Sequence, residues 1–179
     1  MDAGMILTGP GLKANYQEAD WEKLYREIRK GFNTTYAKRN LLQARKHWYE
    51  RNRNYHAFGK YSLQYLKEYP PDLTDHNQRA QLNSVAWNIF LHTTDKQLID
   101  EAIQWMRKIF DQNPHPVEKG FASIMDTYAN LLYKAGRTVE AIQWEEKAAA
   151  LWPERELFKE VVRQMKRGEP THGAVWGYH

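Results

Sequence analysis

The pentapeptide Glu101-Ala102-Ile103-Gln104-Trp105 recurs letter for letter 39 residues later, as Glu140-Ala141-Ile142-Gln143-Trp144. In each copy a proline follows nine residues after the tryptophan, Pro114 in the first and Pro153 in the second. No other feature restricts the fold as strongly. A unit of about forty residues has room for two short helices but is too thin to bury its own apolar face, so units of this kind must stack. The repeat predicts an all-α array of antiparallel helix hairpins, and 179 residues supply about eight helices of ordinary length. Ten glycines and seven prolines are the main interruptions, and strand-type alternation is hard to find.

Spacing inside the second unit narrows the prediction. Met125, Ala129, Leu132, Gly136, Ala141, Ala148 and Pro153 follow one another at intervals that suit a helix–turn–helix. Two alanines let paired helices approach closely, a glycine takes a left-handed turn after the first helix, and a proline stops the second. In this order and spacing the segment resembles the tetratricopeptide repeat, a helical hairpin of about 34 residues. The resemblance implies a superhelix of such hairpins over residues 15–168. Its units would be repeats at 82–114 and 122–153, a degenerate copy at 35–70 and a capping helix at 154–167. A flexible lead-in (1–14) and a tail (169–179) would flank it. Glu145 departs from the family pattern, which has an aromatic or aliphatic residue there, and is expected to loosen the outer packing of the last copy.

Local signals place the helices. Asn15 with Glu18 suggests a capping pair opening a first helix that runs to Lys30, with Trp21, Leu24, Tyr25 and Ile28 on its apolar face. A second helix is expected over 35–51 and a third over 55–69, with Asn52-Arg53-Asn54 as the turn between them. A fourth covers 75–91. The fifth opens at a Thr94-x-x-Gln97 capping box and ends near Gln112. Pro116 suits the first turn of a sixth helix reaching Ala135, Thr138 caps a seventh, and Lys166-Arg167-Gly168 closes an eighth. For the tail, with Trp176 and Tyr178, folding back onto the array and remaining loose are both open.

Several classes of chemistry lack their signature. The chain has no cysteine, hence no disulfide, thiolate metal site or thiol catalysis. Hydrolase, zinc-protease and phosphate-loop motifs are missing, so no enzyme activity, cofactor or metal is expected. His47 and His56 flank the turn at 52–54 and could meet across it, but read better as surface histidines. The carboxylate pairs Glu145-Glu146 and Asp100-Glu101 read as solvated helix faces. No run is long or apolar enough to span a membrane, and Met5-Ile6-Leu7 is too short for the core of a signal peptide. The compartment stays open between the cytoplasm and, within a longer exported protein, the periplasm.

Two surfaces stand out as partner sites. In the tetratricopeptide family the inner face of each hairpin's first helix lines a groove that holds peptides. Carried over, it comprises Ser123, Asp126, Asn130, Tyr133 and Lys134 in one copy, and Ala80, Asn83, Trp87, Phe90 and Leu91 in the other. Asp126 and Trp87 stand where chaperone-clamping members have lysine and asparagine, so that specificity does not carry over. The implied function is a non-catalytic scaffold binding a protein or peptide segment. The second surface is basic. Arg26, Arg29, Lys30, Lys38, Arg39, Arg45, Lys46, Arg51, Arg53 and Lys60 face only two acids over 26–60, and residues 1–70 carry net charge +6. Interleaved with Tyr36, Trp48, Tyr49 and Tyr55, these cations suggest an alternative, a nucleic-acid-binding module. A further resemblance concerns the helical tail behind thioredoxin-like domains of some bacterial proteins. Ala19-Asp20-Trp21, Leu82-Asn83-x-x-Ala86-Trp87 and the run from Asp126 to Lys134 carry it. It implies an accessory role without redox activity, since the cysteine pair is absent.

Overall fold

The structure, a computed structural model, describes residues 18–172. The predicted lead-in, Asn15, Trp176 and Tyr178 lie outside those residues. The described chain is all-helical, with eight helices and no strand. They are α1 (Trp21–Gly31), α2 (Thr34–Arg51), α3 (Tyr55–Glu68), α4 (His76–His92), α5 (Lys96–Gln112), α6 (Gly120–Lys134), α7 (Thr138–Leu151) and α8 (Glu156–Arg167). The chain forms two compact units that divide between Pro70 and Pro71.

In the first unit α2 and α3 form a hairpin, and α1 packs on α2. Trp21, Leu24 and Ile28 are buried, as the helical spacing of α1 predicts, and they join Ala37, Leu42, Ala44, Trp48, Phe58, Leu63 and Leu66 in the core. The cap of α1 is Asp20, whose carboxylate accepts from the Lys23 amide at 2.9 Å. Glu18, expected to cap with Asn15, instead accepts from the Trp21 indole at 3.0 Å and from the Tyr49 hydroxyl. Arg53 turns the chain between α2 and α3 with φ +55°, a left-handed conformation unusual for a side chain of this size.

The second unit carries the repeat. Its hairpins are α4–α5 and α6–α7, each joined by three residues, and α6 also packs against both α4 and α5. The two copies of the pentapeptide sit on α5 and α7, the second helix of each hairpin. Ala129 and Ala141 are fully buried, which allows the close helix approach that the sequence required of them, and Ala102, the counterpart of Ala141, is buried too. Gln104 and Gln143 both face solvent. The likeness extends past the pentapeptide. Lys108 lies over the Trp105 ring at 3.7 Å and Lys147 over the Trp144 ring at 4.2 Å, both from three residues on. Trp144 is tilted against Phe110 at 4.4 Å, which joins the two layers.

Helix ends follow local chemistry, with corrections. Gly136 has φ +81° and Gly168 +71°, as glycines that follow helices should. The cap of α5 is Asp95 rather than Thr94, its carboxylate accepting from the Gln97 and Leu98 amides. Thr138 is the first residue of α7, not its cap; Arg137 precedes it without a side-chain cap bond. Pro116 does not open α6, which starts at Gly120. The chain bends at Pro114 and His115 and becomes helical only at Gly120.

Candidate functional site

On α4, Asn83, Trp87 and Phe90 fall at i, i+4 and i+7; on α6, Asp126, Asn130, Tyr133 and Lys134 keep the same phase, so each set shares one face. α4 packs against α6, and the two faces meet along a seam. The chain's own segment after α8 lies on that seam. Gly168 reverses the helix in a left-handed turn, and the Glu169 amide donates to Gln164 O at 3.0 Å. Arg167 grips Glu169 through two bonds of 2.8 Å. Pro170 stays exposed, whereas Thr171 is fully buried.

There the segment is read atom by atom. The Thr171 hydroxyl donates to Asn130 Oδ1 at 2.5 Å, while Asn130 Nδ2 donates to Asp126 O at 2.8 Å and to Asp126 Oδ1 at 3.0 Å. His172 Nε2 lies 3.2 Å from Asp126 Oδ1, with both side chains about nine-tenths buried. Its ring stands edge-on to Trp87 with centroids 4.9 Å apart, and to Phe90 at 6.3 Å. Asp126, Asn130, Trp87 and Phe90 thus converge on one hydroxyl and one imidazole.

The other predicted groove residues take different places. Tyr133 is 9% exposed, and burial, then the Glu169 charge, raises its pKa. Lys134 donates to Phe90 O at 2.5 Å and lies over the Phe90 ring, so it ties α6 to α4 rather than projecting outward. Burial depresses its ammonium to about 8. Asn83, with Ala80 and Ser123, lines a separate cavity of about 170 Å³ beside Arg79 and Phe121. Arg79 is itself buried and donates to Leu73 O and Thr74 O.

Glu145 corrects one expectation. It is not on a solvated helix face: it is 0% exposed, and neither carboxylate oxygen has an N–H or hydroxyl donor within reach. Its neighbour is Asp126. Desolvation, then the charge of Asp126 and the bond to it, push the Glu145 pKa far above the usual carboxylate range. Two buried carboxyls side by side cannot both ionise, so Glu145 keeps its proton and donates it to Asp126. Asp126 is also the carboxyl that faces His172.

The predicted basic surface divides by environment. Arg45 is sandwiched between Trp21 at 5.4 Å and Tyr61 at 5.1 Å. Arg39 donates to the Tyr65 hydroxyl at 3.2 Å and lies over Tyr69. Lys46 lies over Tyr65, and burial lowers its pKa. Lys30 pairs with Glu27 at 2.7 Å, and Arg29 donates to Phe32 O. Arg26, Lys38, Arg51, Arg53 and Lys60 are exposed. Of the rings proposed to stack on bases, Trp48 and Tyr49 are 8% exposed and belong to the core; Tyr49 also stacks on Tyr61, and burial with the bond to Glu18 pushes its hydroxyl up to about 12. Tyr36 stacks on Phe32 at 4.3 Å.

Thr171, His172 and Glu145 are the members of the seam that sequence reasoning missed. For Glu145 a signal existed, since Ala141, Glu145 and Ala148 share one helical phase and Ala141 was already assigned to a close helix contact. For Thr171 and His172 no periodicity applies, because they follow the last helix. Among the described residues no group of three or more His, Asp or Glu could hold a metal ion, and no helix is long and apolar enough to cross a membrane. Comparison of the chain with protein-family models, with curated proteins and with solved structures gives no match.

Proposed function

We propose that the chain is a non-catalytic scaffold of tetratricopeptide type, in which α4–α5 and α6–α7 are stacked repeats, α8 is the cap, and the α4/α6 seam holds an extended peptide segment. One observation carries this reading. The seam already accommodates a short non-helical stretch of polypeptide, and it does so through side chains that the tetratricopeptide resemblance singled out as a groove. Trp87 and Phe90 give the flat apolar contact, while Asn130 and Asp126 supply the acceptors that fix orientation, the division of labour common in peptide grooves. The basic surface of the first unit offers less for the nucleic-acid alternative, because two of its four rings are core and three of its cations lie against tyrosines.

The test is a displayed library of random peptides panned against the full chain, with retained peptides re-tested on a Trp87→Ala variant whose melting confirms that it folds. Retained peptides that lose binding at Trp87→Ala support the groove. Peptides that bind both forms equally, or a library that yields none, would remove it.

A further inference from the structure

Resting on that reading, we infer that the seam selects segments in which a hydroxyl residue is followed by histidine, and that Thr171-His172 is its resident occupant, competing in cis with such a segment on a partner protein. The polar atoms of the seam are arranged for this pair and are left incomplete without it. Asn130 is 0% exposed, and both bonds of its amide nitrogen go to Asp126, which leaves its oxygen for the Thr171 hydroxyl alone. Serine or threonine can supply that donor; an apolar side chain would leave a buried acceptor unmet. Next to it, Asp126 Oδ1 stands 3.2 Å from the His172 Nε2, and the Trp87 and imidazole rings meet in a T-shaped contact.

The occupant is also attached in a way that permits exchange. It enters through the Gly168 turn, is held outside by the solvent-exposed Arg167–Glu169 pair, and places His172 at φ +52°, a conformation that side chains rarely adopt. A partner segment free to choose its backbone escapes that strain. A short tether gives the resident pair an effective concentration on the order of 1 mM. A free peptide of 10 μM intrinsic affinity would then appear roughly a hundredfold weaker on the natural chain.

The probe is a fluorescein-labelled peptide of the chain's own residues 168–173, with a control in which its threonine and histidine are alanine. Titrated into the full chain carrying Thr171→Ala and His172→Ala, the probe should bind at least tenfold tighter than to the natural chain. The control should not bind, and adding Trp87→Ala should abolish the gain. Equal affinity for the natural and double-variant chains, or equal binding of probe and control, overturns the inference. If the double variant melts early, Pro170→Cys in the otherwise cysteine-free chain takes a dye that Trp87 quenches. Excess probe should then raise emission and the control should not; no change with the probe also overturns it. Library peptides of other composition that need Trp87, alongside an inert probe, would sink this inference and leave the groove standing. Loss of all Trp87-dependent binding would sink both.

Discussion

Replacing Glu145 by glutamine changes one proton and almost no volume, and the structure fixes what should follow. In the unfolded chain Glu145 titrates at its ordinary value of 4.5; in the folded chain desolvation and the neighbouring Asp126 raise it. Between those two values the native state holds a proton that the unfolded chain has released, so stability falls as pH rises above 4.5. At pH 7 the gap from 4.5 is worth about 3 kcal/mol of destabilisation, at roughly 1.4 kcal/mol per pH unit. Glu145→Gln abolishes this term. The amide donates one N–H to Asp126, as the protonated acid does, and buries a second N–H with no acceptor, which costs about 1 kcal/mol. The variant should therefore be about 2 kcal/mol more stable at pH 7, a rise on the order of 10 °C in Tm for a unit of this size. Near pH 4, where the acid is protonated in both states, it should be about 1 kcal/mol less stable. Melting curves followed by circular dichroism from pH 4 to pH 8 would show the two chains crossing. Parallel curves, or a variant less stable at every pH, would refute the buried, protonated carboxyl.

Other expectations concern single residues. Asp95→Ala should cost about 1 kcal/mol, because it leaves two amides of the first turn of α5 without their acceptor, while Thr94→Ala should cost less; urea midpoints separate them. Gly136→Ala meets no atom within 4 Å, yet should cost about 1 kcal/mol through its positive φ alone. Ala102→Leu and Ala141→Leu should each lose about 1–3 kcal/mol by forcing α5 and α7 away from the helices they touch, and near-equal losses in the two would mark them as equivalent sites. Lys159→Ala, on the exposed ion-pair network of α8, should change the melting temperature little.

The architecture of the second unit was legible because its signals are local. Proline, glycine and alanine at fixed intervals specify a stop, a turn and a close contact without reference to the rest of the chain, and Pro153, Gly136, Ala129 and Ala141 serve those ends. Caps were harder. Thr94 and Asp95 both satisfy the pattern, and the aspartate prevails since its charged acceptor takes two amides where Thr94 would offer a hydroxyl. The residues of the seam came from the tetratricopeptide resemblance, which gave no hint of what lies against them. Nothing in a run of Glu-Pro-Thr-His announces that a threonine will be buried on an asparagine forty-one positions upstream. Glu145 illustrates a different failure. Composition argues that glutamate is solvated, whereas its phase between Ala141 and Ala148 argues that it is buried, and phase prevailed because the carboxyl can shed its charge. The basic stretch reads differently in the structure: its cations are spread over α1, α2 and α3, and tyrosine rings take up three of them.

The contact between His172 and Trp87 decides whether the α4/α6 seam holds the tail. Ring centroids 4.9 Å apart place imidazole and indole protons well within nuclear Overhauser range. A spectrum of the natural chain should therefore show cross-peaks from the His172 ring to the Trp87 ring. Cross-peaks from Trp87 to water and none to His172, in a chain that is otherwise folded, would contradict the account.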